Sequence, residues 1–154
     1  MVAKKKKRST MTQLVLSARA GRTALSGRLA AMGLYPGQDA VLLALGAEDG
    51  LSLRDLAERL IVRPPTITKT VARLTTQELV EKRASDTDAR QSHAFLTEKG
   101  LALVAEVRET QRTVERNALR GMSEKERKTL RKLLQKVERN LGIDVEPDDA
   151  DLDE

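Results

Sequence analysis

The sequence predicts a mostly α-helical fold with one small β-hairpin wing, flanked by long helices from both termini. Three observations predict it. Apolar residues recur at helical spacing through six segments. The residues that favour strands gather in one place, Leu79–Ala84 and His93–Leu96. Glycine, proline and serine stand at the borders between these segments, where helices start and stop.

Residues 11–32 carry Leu14, Ala18, Leu25, Leu29 and Met32 at steps of four, seven, four and three, which is one helical stripe. Gly33 ends that helix, and Pro36 suits the first position of the next, about 37–47. The run Ala40-Val-Leu-Leu-Ala-Leu is apolar nearly all round, so this helix is expected to be the most buried. Ser52, with Asp55 three residues on, opens a short helix to Leu60 as a capping box. Pro64-Pro65 opens another, about 65–77, with Ile67, Val71 and Leu74 facing inward. The hairpin follows, its strands joined by the polar loop Ser85–Ser92. Thr97 caps a long helix to about 120. Gly121 breaks it, and Ser123 with Glu126 forms a capping box for a last helix to about 141, striped by Leu130, Leu133, Leu134, Val137 and Leu141.

Composition narrows the function classes. At 154 residues, with 40% hydrophobic and 33% charged residues, the chain is one globular domain in size. The longest apolar run, Ala40–Ala47, is far below the roughly 20 residues a membrane span needs. The basic start is followed by too short an apolar stretch for a signal peptide, so a cytoplasmic location is expected. With no cysteine and one histidine, disulfides, zinc fingers and thiol chemistry are excluded, and no metal or cofactor is expected. No glycine-rich phosphate loop or catalytic triad is present, so an enzyme is not expected. The net charge is +5. Setting aside the basic residues 1–8 and the acidic residues 143–154 leaves 23 of the 28 cations against 16 of the 23 anions, a basic body that suits a polyanion. Tyr35 and Phe95 are the only aromatics, too few to stack single-stranded bases, which favours duplex nucleic acid.

The order short helix, tight turn, second helix, hairpin is a helix-turn-helix with a wing. The second helix of such a unit enters the major groove. Burying Ile67, Val71 and Leu74 turns Thr66, Lys69, Arg73 and Thr76 outward, with Thr68 and Thr70 at the margins. Short hydroxyls and cations suit base and phosphate contact. In the wing, Arg90 suits a narrow minor groove, with Asp88 fixing its fork, and Arg83 at the hairpin base suits a phosphate. The plainer alternative for these residues is a solvated polar face.

The stretches Ser52-Leu-Arg-Asp-Leu-Ala-Glu-Arg-Leu, Thr66-Ile-Thr-Lys-Thr-Val-Ala-Arg-Leu and Asp86-Thr-Asp-Ala-Arg-Gln-Ser-His-Ala-Phe-Leu-Thr-Glu-Lys-Gly resemble the MarR family of regulators over residues 11–141. Gln38, on the approach to the central helix, also fits. The wing pattern, acid-x-Arg followed by Leu-Thr-x-x-Gly, is its most specific part. The resemblance implies a winged-helix domain between dimerising helices, and a repressor released by a small anionic or phenolic ligand. It carries DNA contact onto Thr66, Thr68, Lys69, Arg73, Asp88 and Arg90. Glu78 departs from the glycine usual before the first wing strand, and the absence of cysteine excludes a thiol-based peroxide sensor.

The expected organisation is a disordered basic arm (1–10), an N-terminal dimerisation helix (11–35), a DNA-binding domain (36–97), C-terminal dimerisation helices (98–142) and a disordered acidic tail (143–154). The apolar stripes of the terminal helices exceed what the reading body can cover, so a homodimer on a pseudo-palindromic double-stranded DNA operator is expected. Arg19, Arg22 and Tyr35, near the junction of the N-terminal helix and the DNA-binding domain, are the candidates for holding a small anionic or aromatic effector. Tyr35 beside Pro36 also suits a helix staple. A helical dimer that binds protein rather than DNA is the alternative from a different class.

Overall fold

The computed structural model describes residues 8–85 and 91–143. The basic residues Lys4–Lys7, the wing-tip residues Asp86, Asp88 and Arg90, and the acids beyond residue 143 lie outside the described residues. The described elements, in order, are α1 (Thr10–Ala31), α2 (Gln38–Ala47), β1 (Leu51–Ser52), α3 (Leu53–Arg59), α4 (Pro64–Thr76), β2 (Val80–Ala84), β3 (Ser92–Leu96), α5 (Glu98–Ala118) and α6 (Glu124–Asn140). The chain divides into two compact units, Met1–Glu115 and Arg116–Glu154.

The core of the first unit gathers the inner faces of α2, α3 and α4. Val41, Leu42, Leu56, Val71 and Leu74 are wholly excluded from solvent. Each fully buried side chain of this kind is worth roughly 1.5–3 kcal/mol. The predicted inner stripe of α4, Ile67, Val71 and Leu74, is the buried one. α2 is the most buried helix, as its composition predicts, but it starts one residue late. Gly37 takes the N-cap position at φ 91°, which leaves Pro36 outside the helix.

The three strands form an antiparallel sheet in the order β1-β3-β2. β3 is central, pairing Ala94 with Leu51 on one side and Lys82 on the other, so Ala94 is fully buried. β1 was not legible in the sequence: two residues cannot show an alternation. It uses Ser52, which also caps α3 by accepting from the Asp55 N–H at 3.0 Å. Asp55 answers through its carboxylate to the Ser52 hydroxyl, at 2.7 Å, rather than to the Ser52 backbone. Both partners of a full capping box are present at Ser123 and Glu126, where the side chain is one methylene longer.

The first half of α5 contributes Val104 and Val107 to the core of the first unit, while its Leu101 stays exposed. α1 buries only Leu29 of its residues and leaves Met11 and Val15 exposed. In the second unit α6 buries none, with Leu133 and Leu141 exposed.

Candidate nucleic-acid interface

α4 is clamped at its C-terminal end and presents one polar face. It begins with Pro64 and Pro65 in its first turn, which carry no N–H. The next two amides, of Thr66 and Ile67, both turn back to the Arg63 carbonyl, at 2.9 and 3.3 Å. The backbone at this helix start therefore offers little to a phosphate, and anion contact falls to side chains. Thr66, Thr68, Lys69, Arg73 and Thr76 are exposed and Thr70 is half-buried. The hydroxyls of Thr68, Thr70 and Thr76 donate to the carbonyls of Pro64, Thr66 and Ala72, four residues back, at 3.1, 2.9 and 3.1 Å. With its proton so engaged, each hydroxyl oxygen is left as an acceptor.

The clamp uses the Leu96-Thr97-Glu98-Lys99-Gly100 motif. The chain leaves α4 through Glu78, which sits in the left-handed region at φ 60°. This is the position where glycine is usual in the resembling family, and its geometry is the one glycine serves, here adopted by glutamate. Thr97 donates its hydroxyl to the Glu78 carbonyl at 2.7 Å and accepts from the Gly100 N–H at 3.0 Å. Lys99 Nζ caps the Gln77 carbonyl at 2.9 Å. A Cβ on Gly100 would lie 2.0 Å from the Leu79 carbonyl oxygen, so only glycine permits this approach. The motif thus fixes the end of α4 and the first wing strand against α5.

A second tie reaches α4 from the turn between α1 and α2. Gln38, nearly fully buried, accepts from the Tyr35 N–H at 2.8 Å and donates to Gln77 Oε1 at 2.6 Å. Gln77 in turn donates to the Gly33 carbonyl at 2.9 Å. Gln77 was missed by sequence reasoning, because partners 39 and 44 residues away leave no signal in spacing. The Tyr35 ring lies under the Arg73 guanidinium, 5.7 Å from its centroid.

On the wing, Arg83 stacks over Phe95 at 4.3 Å and pairs with Glu81 at 3.0 Å. Thr66, Thr68, Lys69, Thr70 and Arg73 share one helix, with Arg83 on the strand that follows. Asp88 and Arg90 lie outside the described residues. Of the three effector candidates, Arg22 and Tyr35 line one open cleft of about 610 Å³ with Thr23, Ser26 and Leu34. Arg19 is exposed on α1 and does not line it. A volume of this size falls in the range of small-molecule sites, roughly 300–1,000 Å³. Among the described residues no group of histidines and acids is placed to hold a metal, and no helix is long and apolar enough to cross a membrane.

This geometry has close counterparts. The profile of the MarR family matches residues 32–91, from the end of α1 to the wing. The chain resembles the transcriptional regulator PA3341, with a TM-score of 0.76 and 31% identity over 87% of this chain and 98% of that one. The chain belongs to the MarR family. It is 35% identical over 96 residues to the HTH-type transcriptional regulator TtmR of Methylorubrum extorquens (strain PA1), covering 62% of this chain and 48% of that protein. The chain spans about half the length of the curated relatives it matches. A MarR family transcriptional regulator from Listeria monocytogenes, solved in complex with 26mer DNA, shares the fold with a TM-score of 0.80 at 22% identity, over 88% of this chain and 90% of that one. The fold of this MarR-family chain is therefore the winged helix.

Proposed function

We propose that the chain is a sequence-specific, double-stranded DNA-binding transcriptional regulator. It acts as a homodimer on a pseudo-palindromic operator, represses from it, and is released by a small anionic or aromatic effector. The observation that carries this reading is the α4 face: three threonines, Lys69 and Arg73, exposed on a helix whose far end is tied to two other elements. Thr66, Thr68 and Lys69 approach base edges in the major groove, where the accepting hydroxyl of Thr68 suits an amino group of adenine or cytosine and a threonine methyl suits thymine. Arg73 and Arg83 take phosphates. Arg90, held by Asp88, enters the flanking minor groove.

The uncovered faces of α1 and α6 support a dimer, and two reading heads set about one DNA turn apart, ~34–36 Å, match a two-fold operator. Residues 11–35 and 98–142 supply the dimer contacts and 36–97 the reading domain. The cleft beside Arg22 and Tyr35 is the effector site, and its occupancy alters head spacing. The reading is that of a binding protein in the cytoplasm rather than an enzyme.

The experiment is selection from random duplex DNA, followed by affinity measurement at several salt concentrations. A pseudo-palindromic winner is expected, with a log–log salt slope of about −5 to −9 for some 6–10 neutralised phosphates. Lys69→Ala and Thr66→Ala shift its sequence preference or weaken binding, and Arg90→Ala weakens binding broadly. Recovery of no preferred sequence would remove the operator and favour a helical dimer that binds protein.

A further inference from the structure

The chain has two aromatic rings, and each lies beneath an arginine. Tyr35 carries the Arg73 guanidinium at 5.7 Å and Phe95 carries that of Arg83 at 4.3 Å. The two arginines stand on the recognition helix and on the first wing strand. Neither ring is on the same element as its arginine, and neither is placed by chance of the local sequence.

Both rings stand on anchored backbone. The backbone of Tyr35 is held by Gln38, which is bonded to Gln77 at the end of α4, so the ring travels with the helix whose arginine it carries. Tyr35 is nonetheless 59% exposed, so core packing does not explain its presence at this position. Phe95 lies on the central strand and against Gly50, where a Cβ would come within 2.6 Å of the ring. Glu81, paired with Phe95 across the ladder, binds Arg83 Nη2 from the side at 3.0 Å. A ring face and one carboxylate oxygen restrict the guanidinium, and the side chain is still 60% exposed, so N–H donors remain for a phosphate.

A long arginine side chain loses rotamer freedom when it grips a phosphate, a cost that stacking removes in advance. We propose that Tyr35 and Phe95 are positioning residues that preset Arg73 and Arg83 for phosphate contact, an inference that rests on the DNA-binding reading above. Without the rings the same charges are present but unaligned.

The test is a pair of double-mutant cycles, read as affinity for a mixed-sequence duplex of about two helical turns, which reports phosphate contact. Tyr35→Leu and Phe95→Met remove the ring face, the second at nearly conserved volume. Each is expected to weaken binding about 2- to 5-fold per reading head, the size of an exposed cation–π contact, or about 5- to 30-fold when two heads bind together. Tyr35→Phe retains the ring and is expected to bind as the parent protein does. In an Arg73→Ala background Tyr35→Leu has no further effect, and in Arg83→Ala neither has Phe95→Met. Losses of equal size in both backgrounds, or parental affinity in the ring variants, would overturn the positioning role while leaving DNA binding intact. Failure of the parent protein to bind duplex would overturn the DNA-binding reading and this one with it.

Discussion

Replacing Gly100 with alanine tests the clamp on α4 most directly. The added Cβ would lie 2.0 Å from the Leu79 carbonyl oxygen and 3.2 Å from Leu96 Cδ2. The obstacle is backbone, so the carbonyl must retreat by about 1 Å to reach the closest tolerated separation. It is not free to do so. The Leu79 N–H is bonded to the Leu74 carbonyl at 2.9 Å, and the Leu79 oxygen accepts from Thr97 at 3.1 Å. Overpacking costs about 1–3 kcal/mol and each disrupted hydrogen bond about 1 kcal/mol more. Exchanging glycine for alanine in a helix returns at most about 1 kcal/mol. The net loss is about 2–4 kcal/mol, or roughly 5–15 °C in Tm for a chain of this length. Thermal unfolding at one fixed protein concentration measures it, since any self-association makes Tm depend on concentration. Gly21→Ala is the control: it lies within α1, no described atom beyond its own stretch of helix stands within 4 Å of its Cβ, and it is expected to stabilise by up to about 1 kcal/mol. A Gly100→Ala protein melting with the parent would refute the close approach as the reason for that glycine.

Glu78→Gly relieves a left-handed residue at φ 60° and is expected to raise the unfolding free energy by about 0.5–1 kcal/mol, read as a higher urea midpoint at unchanged slope; a lower midpoint would mean the glutamate is not strained. Gln38→Leu strands the Tyr35 N–H and uncouples Gln77, with an expected loss of about 1–3 kcal/mol in the same measurement, and a neutral result would dissolve the tie between the α1–α2 turn and α4. The Ser123 backbone N–H and hydroxyl hold the Glu126 carboxyl below its usual 4.5. A carboxylate pKa depressed on folding contributes stability that is complete above the unfolded value and lost as pH falls through the folded one, so the first turn of α6 loosens in acid. NMR titration of Glu126 checks this: Ser123→Ala keeps the backbone donor and removes the hydroxyl, so the pKa is expected to rise part of the way toward the ordinary value, and an unmoved titration would rule out the hydroxyl as a cause.

Much of the architecture follows from local patterns. The six helices, the hairpin, the Ser123 and Glu126 capping box and the inner stripe of α4 are all consequences of periodicity and cap chemistry within a few residues of one another. The outward set Thr66, Lys69, Arg73 and Thr76 follows from that same stripe, because burying one face of a helix decides the other. The resemblance of the wing stretch to the MarR family was also legible, since it lies in contiguous residues. The tertiary structure alone decided how these pieces support each other. No spacing rule joins Gln38 to Gln77, Tyr35 to Arg73 or Gly100 to the Leu79 carbonyl, because each contact closes a loop whose ends meet only once the core is packed. β1 exists only because β3 offers its second edge to two residues with no pattern of their own. The same packing explains why α5 buries Val104 and Val107: periodicity shows that a helix has an apolar face, but only its neighbours determine what fills it.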